Sequence, residues 1–151
     1  MSRIIELSNT VIKQPDLLKK AVEHFNDLKN YEVINAKYQQ DADGKILSGS
    51  FHMQTKEKTY GRGNVFMRYE GKGKPVYDIE GVLKEGHFRL LGDEDFAENK
   101  TLGLLLSDHY NTQVVKNHFE NQGHRVNIEY GTDGSITIEA EENETLAACS
   151  Y

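Results

Sequence analysis

The densest chemistry-bearing group in the chain is basic: Lys56, Lys58, Arg62, Arg68, Lys72 and Lys74 fall within 19 residues that hold only Glu57 and Glu70. Glycines punctuate this region in TYGRGNVFMRYEGKGKPVYDIEG, residues 59–81, and glycine lets a backbone amide approach an anion closely. Two readings follow. Either the glycines only permit turns around a strand, or Arg62, Asn64 and Arg68, with the amides of the GRG turn, hold an anionic ligand. A second group mixes signs, because alternation places Arg68, Asp78, Glu80, His87 and Arg89 on one side of neighbouring strands. It forms a solvated ion-pair ladder, or a site where Asp78 and Glu80 act as acid and base and His87 carries the proton.

Other chemistries lack their motifs. A phosphate-cradling Walker loop needs GxxxxGK[ST] between a strand and a helix, whereas GRG precedes a strand and GKGKP ends in a proline. The histidines at 24, 52, 87, 109, 118 and 124 contain no HExxH and no i, i+4 pair, and Cys149 is the only cysteine. No metal, cofactor or disulfide is therefore expected. No GxSxG elbow is present. Asp93, Glu94, Asp95 and Glu98 precede the second helix and already suit its positive end.

These groups must be positioned by regular elements, which the hydrophobic period assigns. PDLLKKAVEHFNDLKN reads as a helix, with Pro15 in its first turn and Leu18, Ala21, Val22, Phe25 and Leu28 as its apolar stripe. Leu102, Leu105, Leu106, Tyr110, Val114 and Phe119 predict a second helix from Thr101 to Gln122, stopped by Gly123. Between them the period is two. Val65, Met67 and Tyr69 oppose Phe66 and Arg68; Tyr77, Ile79 and Leu83 oppose Asp78 and Glu80; Phe88 and Leu90 oppose His87 and Arg89. Three antiparallel strands are expected there. HRVNIEYGTDGSITIEA predicts a closing hairpin, EVINAKY and SGSFHM two more strands around DADGK, and RIIEL an edge strand. The tail EENETLAACSY lacks a packing pattern and is expected to fray.

The expected fold class is α+β, a largely antiparallel sheet with two helices packed on one face, in a single domain over residues 1–151. No apolar run approaches the roughly 20 residues of a membrane span, and MSRIIELSN lacks a secretory core, so a cytoplasmic protein is expected. Net charge is -6, unevenly spread: residues 1–92 carry 15 Lys/Arg against 12 Asp/Glu, and residues 93–151 carry 3 against 12. That acidic half opposes binding to duplex nucleic acid.

The helix PDLLKKAVEHF, the turn YGRGN, VYDIEG followed by GHFRLLGD, the helix end NQG and the hairpin GTDGSITIEA together resemble the chloroplast conserved reading frame 35 family, also called domain of unknown function 1257. Proteins similar to that family occur in plastids, cyanobacteria and bacteriophages. The resemblance spans about Pro15 to Ala140 and is best at Gly61, Arg62, Gly63, Asp78, Gly123, Asp133, Gly134 and Ser135; residues 31–54 fit no family pattern and read as an insertion. It implies a compact fold and carries over no catalytic residue.

Three functions are open at this level. The first is a non-enzymatic protein that captures a small anionic ligand, with a nucleotide sequestered by a phage protein as one form. The second is a protein–protein interaction module or adaptor, with a homo-oligomer as one form. The third is a hydrolase using Asp78, Glu80 and His87.

Overall fold

The computed structural model describes residues 3–26, 31–55, 63–131 and 135–142. The element order is β1 (Ile4–Glu6), α1 (Pro15–Phe25), β2 (Tyr31–Gln40), β3 (Ile46–Thr55), β4 (Gly63–Glu70), β5 (His87–Asp93), α2 (Ala97–Asn121), β6 (Arg125–Tyr130) and β7 (Ile136–Glu141). The fold is α+β, with an antiparallel five-stranded sheet and a separate two-stranded one. The chain divides into two compact units, Met1–Tyr110 and Asn111–Tyr151, and α2 runs through the boundary.

In the first unit the strand order is β1-β5-β4-β3-β2. Direct partners across an antiparallel pair share a face, so Phe51 with Val65, and Met67 with Leu90, point the same way. All four are buried, as are Leu18, Ala21, Val22 and Phe25 of α1 and Leu102 and Leu106 of α2. Each large apolar side chain so buried contributes roughly 1.5–3 kcal/mol. This face is the core, and both helices cover it.

Two details fix the helices there. Gln14 supplies no side-chain cap to α1; instead the Tyr110 hydroxyl accepts the backbone N–H groups of Lys13 and Gln14, each at 3.2 Å, and Pro15 spares a third donor. On α2, a Cβ at Gly103 would collide with Leu7, so the glycine lets the helix sit against the segment after β1. Beside it Ser8 and Ser107 pair their hydroxyls at 2.7 Å.

The helix α2 starts at Ala97, four residues before the expected Thr101. Its apolar stripe begins only at Leu102, and the first turn is anchored by a polar residue instead: Asn99, 2% exposed, lies inside it. The expected strand over PVYDIEGVL does not form. Tyr77 and Leu83 make one isolated bridge, and between them the Asp78 carboxylate accepts the N–H groups of Glu80 at 2.8 Å and Val82 at 3.0 Å. That local bonding competes with a ladder, and Ile79 stands fully in water at 102% exposure. The strands at residues 31–54 and the edge strand β1 do form, with the DADGK turn closed by Asp41, whose carboxylate accepts the N–H groups of Asp43 and Lys45.

In the second unit α2 ends as its glycine predicts. Gly123, at φ +84°, donates to the Glu120 carbonyl, and His124 donates to that of Phe119. The rings of Phe119 and His124 meet edge-on at 5.6 Å, the contact that usually accompanies such a stop. The hairpin β6–β7 then pairs Val126 with Ala140, Ile128 with Ile138 and Tyr130 with Ile136 on one face. Arg125, Asn127 and Glu129 occupy the other. Residues 132–134 of its turn and the tail from residue 143 lie outside the described residues.

Candidate functional site

The face of the five-stranded sheet away from the helices carries the ionic residues. Arg68 and Arg89 are direct partners across β4 and β5, and so are Glu70 and His87. Two arginines opposite one another repel, and the sheet offsets this with carboxylates. Arg89 Nε lies 3.9 Å from both Glu6 and Glu70, its Nη1 donates to the Asn9 carbonyl at 3.0 Å, and His87 Nε2 lies 3.1 Å from Glu70. Each such half-exposed pair is worth about 0–1 kcal/mol. Arg89 is thus committed to internal partners, whereas Arg68 is exposed and makes no ion pair among the described residues.

The seven candidate residues therefore part company. Arg68, His87 and Arg89 come together on the open face, and Asn64 shares that face further along β4, with its Oδ1 held 2.7 Å from His52 Nδ1. Arg62, with Lys56, Lys58 and Gly61, lies outside the described residues. Asp78 and Glu80 do not join them. Their turn lies against the start of α1, where Gly81 nears Asp16 and Leu83 N–H donates to the Lys13 carbonyl, on the helix side of the sheet. Gly63 is neither a turn residue nor an anion cradle: it is buried in β4, and a Cβ there would stand 2.5 Å from Asn99 Oδ1 and 2.7 Å from Leu102.

A cleft opens where two strands fork. The β3–β4 ladder runs from Met53↔Gly63 to Gly49↔Met67 and ends, while β3 continues beside β2 to Ile46 and β4 continues beside β5 to Glu70. Between the diverging ends lies a recess of about 810 Å³, open to solvent. Lys37, Arg68 and Lys74 line it, and among the described residues no carboxylate does. Ser48, Ser50, Tyr38, Phe66 and Tyr69 complete its lining. One sign of charge in a low-dielectric recess concentrates ligands of the other sign.

The walls are pinned from outside the strands. The Tyr77 hydroxyl donates to the Ile46 carbonyl at 2.6 Å, and that of Tyr69 to the Glu85 carbonyl at 2.9 Å, tying the connection between β4 and β5 to the fork. Burial, then Asp16, Asp41 and Tyr69, push the Tyr77 phenol upward. Burial and then Glu23 do the same to Tyr38, whose ring meets Phe51 edge-on at 5.6 Å, so both phenols are neutral at ordinary pH.

Of the candidate residues that the structure describes, only Arg68 lines this cleft. Lys37, Ser48 and Ser50 went unnoticed, although the alternation in EVINAKY and the small residues of SGS mark a strand face with room above it. Among the described residues no group of His, Cys, Asp and Glu could hold a metal ion, and no helix is long and apolar enough to cross a membrane. Comparison with family models, curated proteins and solved structures finds no match.

Proposed function

We propose that the protein is a non-enzymatic binding protein that captures a small anionic ligand in the fork between β3 and β4. The observation that carries this is the grouping of Lys37, Arg68 and Lys74 in one recess with no acidic residue among its described lining, in a protein of net charge -6. Its volume, about 810 Å³, suits a ligand of cofactor size, since such sites usually span roughly 300–1,000 Å³. A nucleotide matches the lining: its phosphates meet the three cations and its base stacks on Tyr38, Phe66 or Tyr69. The resemblance to a family with phage members adds sequestration of a host nucleotide, in the cytoplasm, as one use of such a protein.

The test is thermal stability across a panel of nucleotides and inorganic anions. A ligand present at 100 times its Kd adds about 2.7 kcal/mol of stability. Arg68→Glu should abolish the shift, and Lys72→Glu, outside the lining, should leave most of it. A panel without any shift, or one unchanged by Arg68→Glu, refutes the reading.

A second reading, an interaction module or homo-oligomer, is favoured by β2. This ten-residue strand is the outer one of its sheet, carries Ile34 at 50% exposure, and offers an unpaired edge. Light scattering that shows a monomer at every concentration, with no partner recovered, removes it. The hydrolase reading has no constellation to support it, because Asp78 and Glu80 are in a turn on the helix side and His87 pairs with Glu70 on the other.

A further inference from the structure

At the other end of β4 lies a second, smaller recess of about 210 Å³, lined by Ile4, His52, Gly63, Asn64, Phe66, Asp93, Phe96 and Asn99. Asn64 is four residues from Arg68 on the same face, or about 13 Å along the strand. The two recesses share Phe66 and differ in sign. Among the described residues no lysine or arginine lines this one.

Several of its polar groups are engaged internally. Asn99 Oδ1 accepts the Asn64 N–H at 2.9 Å, and its Nδ2 donates to the Asp93 carbonyl at 3.0 Å. His52 Nδ1 lies 2.7 Å from Asn64 Oδ1 and donates to it in the tautomer that carries the proton there. The Asp93 carboxylate accepts one bond through Oδ1, from the Asp95 N–H at 2.9 Å, and makes no ion pair among the described residues. Its neighbour Glu94 is the one that takes Arg3, at 2.9 Å. A carboxylate holds about four acceptor positions, so most of its capacity is open.

Phe66 and Phe96 line the recess with Asp93, and its apolar rim is exposed: Phe96 is 60% exposed and Ile4 48%. A recess of this size is too small for a drug-sized ligand but holds one planar head group. We infer that this recess receives an arginine side chain from a partner protein segment, its guanidinium on Asp93 and against Phe66 or Phe96, its stem along Ile4. Guanidinium suits the lining better than ammonium, because it forks onto a carboxylate and stacks on an aromatic face at once. The inference does not depend on the anion cleft.

The test is NMR titration of the full chain with acetyl-Gly-Arg-Gly-amide and with its citrulline counterpart, which keeps the shape and loses the charge. The arginine peptide should shift the amides of His52, Asp93 and Phe96 saturably, and the citrulline peptide should bind weaker by about tenfold or more. Asp93→Asn keeps the Oδ1 acceptor for Asp95, so the fold is retained while arginine binding falls to the citrulline level. Phe96→Leu should weaken the arginine peptide, and Arg68→Glu should leave it unchanged. Equal binding of the two peptides, no saturable shift with either, shifts confined to the acidic hairpin β6–β7, or an Asp93→Asn variant that binds normally each overturns the proposal.

Discussion

Asn99 offers the most direct test of how the binding face is held. It is 2% exposed, and its amide joins the first residues of β4 to the end of β5 through two bonds, accepting from Asn64 N–H and donating to the Asp93 carbonyl. In Asn99→Ala the Asn64 N–H loses its partner, and the Asp93 carbonyl keeps only the Phe96 N–H, at 3.4 Å. Orphaning the first costs about 1–3 kcal/mol and weakening the second up to about 1 kcal/mol more, so about 1–4 kcal/mol in all. At 3 kcal/mol the Tm of a chain this long falls by about 6–12 °C. Urea unfolding should show a lower midpoint with an unchanged slope.

Asn99→Asp separates the two bonds. It keeps the acceptor for Asn64 N–H and replaces the donor to Asp93 with an oxygen that faces a carbonyl. That carboxyl will be held protonated, its folded pKa raised above the ordinary value near 3.9. The stability of the variant is then fully present below about pH 4 and is lost as pH rises through the folded pKa, by about 1.4 kcal/mol per pH unit. A difference curve against the wild type that is flat between pH 4 and 7 would refute the bond assignment, as would an Asn99→Ala variant of native stability.

Two further outcomes follow from packing and burial. Gly103→Ala should gain about 1 kcal/mol of helix propensity but lose about 1–3 kcal/mol to the clash with Leu7, for a net fall in the urea midpoint; a stabilised variant would show that α2 does not approach β1 so closely. His109 is buried, 6% exposed, beside Phe25 and His24, and burial, then His24, hold its pKa below the usual 6.5. A base with a depressed folded pKa leaves stability intact above about pH 6.5 and lowers it as pH falls through that value toward the folded pKa, because the unfolded chain binds the proton first. The urea midpoint should drop between pH 7.5 and 5.5, and His109→Gln should flatten that slope; an identical slope would refute it.

The sequence disclosed faces better than neighbours. Alternation placed Met67 and Leu90 inward and Arg68 beside Arg89, because side-chain direction along a strand depends only on parity. It failed at Asp78–Gly81, where a carboxylate bonding to the two N–H groups beyond it outcompeted a ladder that residue type alone suggested. The cleft was not legible, since it exists only where the β3–β4 register ends at Gly49↔Met67, a fact of long-range pairing. Lys37 and Arg68, 31 positions apart in the chain, therefore share a recess that no local window could show. Asn99 was hidden for a related reason: a polar residue ahead of an apolar stripe looks like solvent-facing helix until the strands it bridges are in place.

The pairing of β1 with β5 sets an order of events during synthesis. Ile4 finds its partner in Asp93, and Leu7 its carbonyl in Leu90, so β1 waits for nearly ninety further residues before it can dock. The hairpins β2–β3 and β6–β7 close locally, yet the loop joining β1 to its ladder is among the longest the chain must close, and its entropy is lost late. Until then the edge of β5 is bare, and a nascent chain stalled before residue 93 would present β1 to chaperones as an unpaired apolar tag.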